Sequence, residues 1–291
     1  MTKELQALHV QAPVRTIHLV LAAARQGLKH LENPAFEVEL LLAHAMGKPR
    51  SYLLTWPEYA LDTATLERFE SLIERRAAGI PAAYLMGCRE FWSLELAVTH
   101  DTLIPRPETE RLVELALPHI PEDRPCCVAD LGTGSGAIAL AIASERPHCH
   151  IIATDISEAS LAIAQANASR HRLHNVEFRR GDWLTALRGD IVDVIVSNPP
   201  YIHANDPHIE TGDLPHEPRL ALVAGNTGLE MIETIAQAAM KHLSVHGWLL
   251  LEHGYDQAAT IVELLHGLGY CHIQSHKDTA GIDRVIQAQR N

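Results

Sequence analysis

The feature that most constrains the fold is the alternation of short apolar strands and helices after Cys126. Apolar runs predict strands near residues 126–131, 150–155, 176–181, 191–197 and 248–253, and helical periodicity predicts helices near 135–145, 158–171, 228–243 and 257–267. This alternation is typical of an open, mainly parallel sheet covered on both faces. Two further strands, near 271–276 and 284–289, are expected to form an antiparallel edge hairpin.

The first part of the chain has a different pattern. Apolar residues recur at spacings of three and four from Pro13 to Ala78, which predicts a small bundle of helices. Aromatic residues and partial alternation at 90–98 then predict a hairpin. We therefore predict a helical domain over residues 1–80, a β-hairpin linker over 81–105 and an α/β domain over 106–291.

The first predicted strand of the α/β domain runs into a glycine-rich turn, Gly132 to Gly136, that opens an apolar helix. Glycines at such a turn let the backbone approach a ligand closely. The next strand ends at Asp155, about 20 residues later, which is the separation expected of a carboxylate that binds ribose hydroxyls. Together these features predict a nucleoside-shaped pocket. Asp155 could instead cap the helix that begins near Ser157.

The glycine pattern alone does not identify the ligand. Gly132, Gly134 and Ala137 also satisfy the dinucleotide pattern G-x-G-x-x-G/A, so an NAD-dependent dehydrogenase is an alternative. Asp130 lies just before these glycines, where its charge would repel a pyrophosphate. A carboxylate there suits the cationic sulfonium and amino group of S-adenosylmethionine better, and this favours a methyltransferase.

The tetrapeptide Asn198-Pro199-Pro200-Tyr201 follows a predicted buried strand. The Asn198 side-chain oxygen and the Pro199 carbonyl could accept both hydrogens of a planar NH2 group, and Tyr201 offers a flat face over it. An amide nitrogen is a poor nucleophile, so such a site must position it and favour the charge that develops on it. The segment therefore points to methylation of an amide or amino nitrogen, although it is also compatible with a plain turn.

Four segments are expected to meet in one crevice, because ligands of such sheets bind outside the carboxyl ends of the strands. Gly132, Asp155, Asp182 and Asn198 all follow predicted strands. Asp182 could make a polar contact with an adenine and Trp183 could stack on it. The alternative is that Trp183 only fills the core.

Composition limits the partners. The formal net charge of −12 disfavours a partner recognised through its phosphate backbone, so a protein substrate fits better than nucleic acid. No apolar stretch approaches the roughly 18 residues of a membrane span, and residues 1–5 show no signal-peptide pattern, so we expect a cytoplasmic protein. The five cysteines form no C-x-x-C pair, and the histidines lack companions at ligand spacing, which argues against a bound metal.

These motifs resemble those of the protein-(glutamine N-5) methyltransferases, specifically the peptide chain release factor branch called PrmC or HemK. The resemblance covers nearly the whole chain. The matching stretches are residues 87–94, 103–110, 130–136 and 197–201, with Glu217-Pro218 and Ala221-Leu222. The resemblance implies an N-terminal helical bundle, a hairpin linker and a class I methyltransferase domain with a seven-stranded sheet.

The resemblance also implies roles for individual residues. It assigns the S-adenosylmethionine site to Gly132, Thr133, Gly134, Ser135, Gly136, Asp155, Trp183 and Asn198, to which the residue chemistry above adds Asp130 and Asp182. Asn198, Pro199, Pro200 and Tyr201 would then bind the glutamine, with Asn198, Pro199 and Tyr201 as the catalytic residues. No metal is implied, and the product is S-adenosylhomocysteine.

The implied substrate is the glutamine of the Gly-Gly-Gln motif in class 1 release factors, methylated while the factor is free of the ribosome. Arg106 and Glu108 favour this branch over the related one that acts on a large-subunit ribosomal protein, where the stretch tends to read Pro-Arg-Ser-Pro. The motifs are also compatible with an amino methyltransferase of adenine or guanine in nucleic acid, with Tyr201 stacked on a flipped base, and with a noncatalytic binding protein. The helical bundle is expected to dock a second region of the release factor.

Overall fold

The computed structural model describes residues 15–291. The chain separates into two compact units, one ending at Met86 and the other spanning Gly87–Asn291. Part of the predicted helical domain, residues 1–14, lies outside the described residues. The functional division at residues 80 and 105 stays a prediction.

The first unit is a bundle of helices: α1 (Ile17–Gly27), α2 (Pro34–Met46), α3 (Arg50–Thr55), α4 (Thr63–Ala77) and α5 (Ala82–Met86). Helix α2 shows how the sequence sets these limits. The Asn33 side chain accepts a hydrogen bond from the Phe36 backbone N–H, and Gly47 ends the helix in a left-handed conformation (φ 61°). Fully buried side chains such as Leu41 and Phe69 form the core of the bundle.

The second unit opens with an antiparallel hairpin of β1 (Cys88–Phe91) and β2 (Leu94–Ala97). A short 3₁₀ turn at Pro107–Thr109 leads into α6 (Glu110–Ala116). The α/β region follows: β3 (Cys127–Leu131), α7 (Ala137–Glu145), β4 (His150–Asp155), α8 (Glu158–His171), β5 (Val176–Arg180), β6 (Val192–Ser197), α9 (Glu230–His242), β7 (Leu243–Glu252), α10 (Ala258–Gly267), β8 (Tyr270–Lys277) and β9 (Asp283–Arg290).

Strands β3 to β9 form one seven-stranded sheet in the order β5-β4-β3-β6-β7-β9-β8. Strands β3 to β7 pair in parallel, and β9 runs antiparallel to both β7 and β8. Separate hydrophobic clusters cover the two faces: Val128 and Val194 belong to one, and Ala129 and Ile195 to the other. The predicted fold class, including the antiparallel edge hairpin, is confirmed.

Strand β7 differs from its prediction, because it begins at Leu243 rather than near residue 248 and follows α9 without a loop. Residues 244–247 are polar or exposed for the most part, so their sequence has the character of a turn. The pairing of β6 with β7 shifts register here: Val192 pairs with Leu243 and Val194 with Trp248, so the extra residues lie on β7. The Ser244 hydroxyl donates to Oδ1 of Asp193 (3.1 Å), which ties the two strands together there.

The strand order places the site. From the central pair β3 and β6, the sheet grows towards β4 and β5 on one side and towards β7 on the other. Leu131 and Ser197 are paired at the carboxyl ends of β3 and β6, and the Ser197 hydroxyl donates to the Leu131 carbonyl (2.6 Å). The glycine turn and Asn198 therefore emerge side by side at the switch point, where ligands of such sheets bind. No helix within residues 15–291 is long and apolar enough to span a membrane.

Candidate active site

The glycine turn is compact because its backbone adopts left-handed conformations. Gly132, Gly134 and Gly136 have φ values of 71°, 57° and 88°. A Cβ added to Gly136 would lie 3.2 Å from the Ala164 side chain, so this position also permits close packing of the turn against α8. The Thr133 backbone N–H donates to the Thr154 carbonyl (2.8 Å), which fixes the turn against β4.

Asp130 lies beneath the turn and is fully buried. Its Oδ2 atom accepts hydrogen bonds from the Thr133 hydroxyl (2.6 Å) and the Ala139 backbone N–H (3.1 Å). The other oxygen, Oδ1, is buried and has no partner among residues 15–291. Burial raises the pKa of Asp130 to about 7. An unpartnered carboxylate oxygen in this position is suited to accept a hydrogen bond from a cationic group.

Asp155 connects the glycine turn to the start of α8. Its Oδ2 accepts from the Gly134 backbone N–H (2.9 Å) and its Oδ1 from the Ser157 backbone N–H (2.8 Å). The helix cap is Ser157, whose hydroxyl accepts from the Ser160 N–H (3.1 Å). Burial raises the pKa of Asp155. Each carboxylate oxygen makes one hydrogen bond here and keeps capacity for another.

Trp183 and Asp182 follow β5, where the Gly181 backbone N–H donates to the Asp155 carbonyl (3.1 Å). The Trp183 ring is half-buried, packs on the core cluster, and lies close to Gly132, where an added Cβ would be 3.1 Å from the ring. Trp183 therefore contributes to the core and also borders the glycine turn. The Asp182 side chain is exposed.

Asn198 is held by one end of its amide. Its Nδ2 donates to the Thr109 hydroxyl oxygen (3.2 Å). The Asn198 Oδ1 and the Pro199 carbonyl oxygen accept no hydrogen bond from the part of the chain that the structure describes. Pro199 and Pro200 are buried, which restricts the backbone here. The segment thus presents two acceptors with unused capacity next to the glycine turn.

Tyr201 is anchored at both its hydroxyl and its carbonyl. The hydroxyl donates to Oε1 of Glu252 (3.1 Å), and the carbonyl accepts from Nε2 of Gln257 (3.0 Å). Gln257 also donates to the Gly228 carbonyl (3.2 Å) and accepts from the Gly254 N–H (2.8 Å). Burial raises the pKa of Tyr201. Burial likewise raises the pKa of Glu252, to about 6.

A similar amide supports the glycine turn. Asn167, on α8, is fully buried and donates to the carbonyls of Ser135 (2.9 Å) and Ala97 (3.0 Å). Its Oδ1 accepts from the Ala97 backbone N–H (2.7 Å). One side chain therefore joins α8, the hairpin strand β2 and the turn.

An ion pair joins two of the stretches that carry the family resemblance. The Glu217 side chain is fully buried, pairs with Arg106, and accepts from the Ile104 backbone N–H (3.0 Å). The segment before α6 is thereby fixed to the loop that follows Tyr201.

Sequence reasoning missed four residues that hold the site: Thr109, Asn167, Glu252 and Gln257. Glu252 had a usable signal, because it stands at the carboxyl end of a predicted strand as Asp155 does. Thr109 lies in the matching stretch 103–110, but only the folded chain brings Thr109 and Asn167 to their partners.

Comparison with known proteins assigns the family. Residues 20–87 match the PrmC N-terminal domain, and residues 109–213 match the methyltransferase small domain. The release factor glutamine methyltransferase of Pseudomonas aeruginosa is 51% identical over 253 residues, 87% of this chain and 91% of that protein. The release factor glutamine methyltransferase of Vibrio cholerae is 47% identical over 281 residues, which are 94% of this chain and 96% of that protein. The chain belongs to the release factor glutamine methyltransferase family.

This membership confirms the family expected from the motifs and rules out the dehydrogenase alternative. The fold has an independent match in a methyltransferase from Pyrococcus furiosus, with a TM-score of 0.53 and 18% identity, covering 76% of this chain and 98% of that one. This structural match bears on the fold alone and agrees with a methyltransferase architecture.

Proposed function

We propose that this protein transfers the methyl group of S-adenosylmethionine to the side-chain amide nitrogen of the glutamine in the Gly-Gly-Gln motif of class 1 peptide chain release factors. S-Adenosylhomocysteine is the second product. The observation that carries the proposal is a pair of acceptors beside the glycine turn, Asn198 Oδ1 and the Pro199 carbonyl, which accept no hydrogen bond from residues 15–291. The names of the relatives in Pseudomonas aeruginosa and Vibrio cholerae support this substrate.

The residues around the glycine turn fit the donor. Asp130 Oδ1, which has no hydrogen-bond partner within residues 15–291, is suited to the cationic amino acid portion of the donor, and Asp155 retains acceptor capacity for ribose hydroxyls. The backbone of Gly132, Thr133, Gly134, Ser135 and Gly136 would line this pocket. Trp183 borders Gly132, where it could stack on the adenine, with Asp182 as a polar contact. When bound, the donor supplies an electrophilic methyl group.

Asn198 and Pro199 would orient the glutamine. Their two oxygens would accept both N–H groups of the amide, which aims the nitrogen and favours the positive charge that develops as it is methylated. The methylated nitrogen is strongly acidic while it carries that charge, so it loses a proton to water without a dedicated base. Pro200 and Tyr201 would complete the wall against which the glutamine side chain lies.

The helical bundle would dock a second region of the release factor, in keeping with a cytoplasmic role in translation termination. Leu54 and Trp56 are large apolar side chains with exposed fractions of 75% and 57%, and they offer a contact surface. A Leu54→Ser, Trp56→Ser double variant should raise KM for the full-length factor and leave KM for a short Gly-Gly-Gln peptide unchanged. Equal KM values for the factor with both enzymes would contradict the docking role.

The test is transfer of a labelled methyl group from S-adenosylmethionine. Substrates are a purified class 1 release factor, its Gln→Ala variant in the Gly-Gly-Gln motif, a large-subunit ribosomal protein, and matched DNA and RNA. We expect label on the wild-type factor only. Asn198→Ala should lower kcat about 100-fold or more, because it removes an acceptor used in the transition state. Gln165→Ala, an exposed amide on α8, is the control and should have wild-type activity.

Each outcome points to one substrate class. Label on nucleic acid would replace the proposed function by amino methylation of a base. Label on the ribosomal protein would move the chain to the related branch. Absence of transfer to every one of these substrates, with S-adenosylmethionine bound, would favour a noncatalytic protein.

A further inference from the structure

Arg106 is held in place by a buried carboxylate. The Glu217 side chain has no exposed surface (0%), and both of its oxygens are used. Its Oε1 pairs with Nη2 of Arg106, and its Oε2 accepts from the Ile104 backbone N–H (3.0 Å). A buried carboxylate is costly unless surrounding donors serve it. Both donors lie in one short stretch of chain, so Glu217 fixes this stretch and the guanidinium group that it carries.

On one side, Arg106 is connected to the amide that is proposed to bind the substrate. A 3₁₀ turn begins after Arg106, whose carbonyl accepts from the Thr109 backbone N–H (3.1 Å). The Thr109 hydroxyl oxygen in turn accepts from the Asn198 amide (3.2 Å). One turn of chain therefore carries both Arg106 and the residue that contacts Asn198.

The other side of the ion pair is the loop that follows Tyr201. Glu217 belongs to this loop, whose two ends are joined where the Ile202 backbone N–H donates to the Leu222 carbonyl (3.0 Å). Burial raises the pKa of Tyr201, and the positive charge of Arg106 opposes this effect, in keeping with its place beside the loop. Arg106 therefore stands between the loop and the turn described above.

Only one nitrogen of the Arg106 guanidinium is used within residues 15–291. Nη2 pairs with Glu217, whereas Nε and Nη1 make no hydrogen bond to this part of the chain. The side chain is 31% exposed, so these N–H groups can reach a ligand. A guanidinium group only donates hydrogen bonds. Arg106 therefore adds donors to a part of the site where Asn198 and Pro199 supply acceptors.

The proposed substrate contains acceptors that match these donors. Two glycines precede the reacting glutamine in the Gly-Gly-Gln motif, and because they lack side chains, their backbone carbonyls are open to a partner. The side-chain oxygen of the glutamine is less suitable. A donor at that oxygen would draw electron density from the nitrogen that has to attack the methyl group.

We infer that Arg106 is a substrate-binding residue whose guanidinium, held in place by Glu217, donates a hydrogen bond to a glycine carbonyl of the Gly-Gly-Gln motif. This inference rests on the proposed function, because it concerns the same substrate. The glycine carbonyls take no part in methyl transfer, so the contact stabilises the bound substrate and the transition state equally. Removing it should therefore raise KM and leave kcat unchanged.

The first test uses Arg106→Met in the full-length enzyme, with release factor and labelled S-adenosylmethionine. We expect KM for the factor to rise about 10- to 100-fold, because hydrogen bonds from a charged group are strong. Both kcat and Kd for the donor should change less than about threefold. Arg124→Met makes the same change at an exposed position and should have wild-type kinetics.

Variants of Glu217 test how Arg106 is held. Glu217→Gln keeps an acceptor for the Ile104 N–H but removes the charge that holds the guanidinium, so KM should rise about 3- to 10-fold, the effect of ordering one long side chain on binding. The Arg106→Met, Glu217→Gln double variant leaves no unpaired buried charge, and its KM should match that of Arg106→Met alone. Glu263→Gln, at an exposed position, is the control.

Modified peptides test the contact itself. Two short Gly-Gly-Gln peptides each carry a thioamide in place of one glycine carbonyl, which weakens the acceptor at that position. With one of these peptides, kcat/KM of the wild-type enzyme should fall about 3- to 10-fold relative to the unmodified peptide. The same replacement should change kcat/KM of Arg106→Met less than about twofold, because the donor is already absent.

The results separate this inference from the proposed function. If the wild type methylates the factor and Arg106→Met keeps the wild-type KM, the substrate contact is wrong and the function stands. The inference is also overturned if Arg106→Met and wild type respond equally to both thioamide peptides. If kcat, donor affinity and melting temperature fall together in the single and double variants, Arg106 supports the fold generally, which again overturns it. If the wild type transfers no methyl group to the factor, the proposed function itself fails.

Discussion

The donor end and the acceptor end of the site are held in different ways. At the donor end, residues 130–136 with Asp155, hydrogen bonds to the two carboxylates join residues 3, 9 and 21 positions apart. At the acceptor end, residues 198–201, the corresponding bonds span 89, 51 and 56 positions. The donor end is therefore built mostly from neighbouring sequence, and the acceptor end is built by tertiary structure. Removing a side chain that supports the donor end should therefore weaken binding of S-adenosylmethionine. Removing one that supports the acceptor end should lower kcat.

The largest effect on stability is expected for Asn167→Ala. The change removes three hydrogen bonds that the fully buried Asn167 side chain makes with the backbone of Ala97 and Ser135, which should lower the free energy of unfolding by about 3 kcal/mol. Donor affinity should fall as the glycine turn loosens, with kcat at saturating donor nearly unchanged. Urea denaturation and calorimetric titration measure both quantities. If the variant bound S-adenosylmethionine as tightly as wild type, Asn167 would not support the donor end.

Asp155→Ala should weaken donor binding about 10- to 100-fold, because hydrogen bonds to a charged group contribute about 1.5–3 kcal/mol. The variant removes the acceptor for the Gly134 N–H and the proposed acceptor for ribose. Glu158→Ala is the matched control, since Glu158 is a nearby exposed carboxylate. Calorimetric titration with S-adenosylmethionine provides the measurement, and equal Kd values for the two variants would remove Asp155 from the donor site.

Gln257→Ala is the acceptor-end counterpart of Asn167→Ala. It leaves the Tyr201 and Gly228 carbonyls and the Gly254 N–H without their side-chain partner, so stability should fall by about 1–2 kcal/mol. Here kcat should decrease about tenfold while donor affinity is retained. Steady-state kinetics measure kcat, and calorimetric titration measures donor affinity. A loss of donor affinity with normal kcat would show that Gln257 supports the donor end instead.

The smallest effect is a pH dependence of stability from Asp130. Its pKa in the folded protein is about 7, above the ordinary value of 3.8, because burial disfavours the charged form. The stability it contributes is present below pH 3.8 and is lost as pH rises through 7. From about pH 6 to about pH 8, wild type should lose about 1–2 kcal/mol of unfolding free energy relative to Asp130→Asn. The free energy of unfolding of both proteins is measured by urea denaturation at each pH. If it changed with pH in the same way for both, the prediction would be wrong.

The same contrast explains how much the sequence could predict. Strand and helix periodicity and the rule for carboxyl ends identified the sheet and placed Gly132, Asp155 and Asn198 at the ends of its strands, because these signals are local. The beginning of β7 at Leu243 was missed, since the residues after it have the composition of a turn and Leu243 pairs with Val192 of β6 only in the folded sheet. Thr109 and Gln257 could not be found, because their partners are far away in the chain.

The strand order also has a consequence for folding. Contacts between residues far apart in sequence form slowly, because closing a long loop costs conformational entropy. Pairing of β3 with β4 needs about 20 intervening residues, whereas Asn198 and Thr109 are 89 residues apart and Tyr201 must also meet Glu252. We expect pulse-labelling hydrogen exchange to show protection at Ala153 before Leu251. A chain emerging from the ribosome can thus assemble β3, α7 and β4 early, but it cannot complete the end that holds its substrate until β7 has been synthesised.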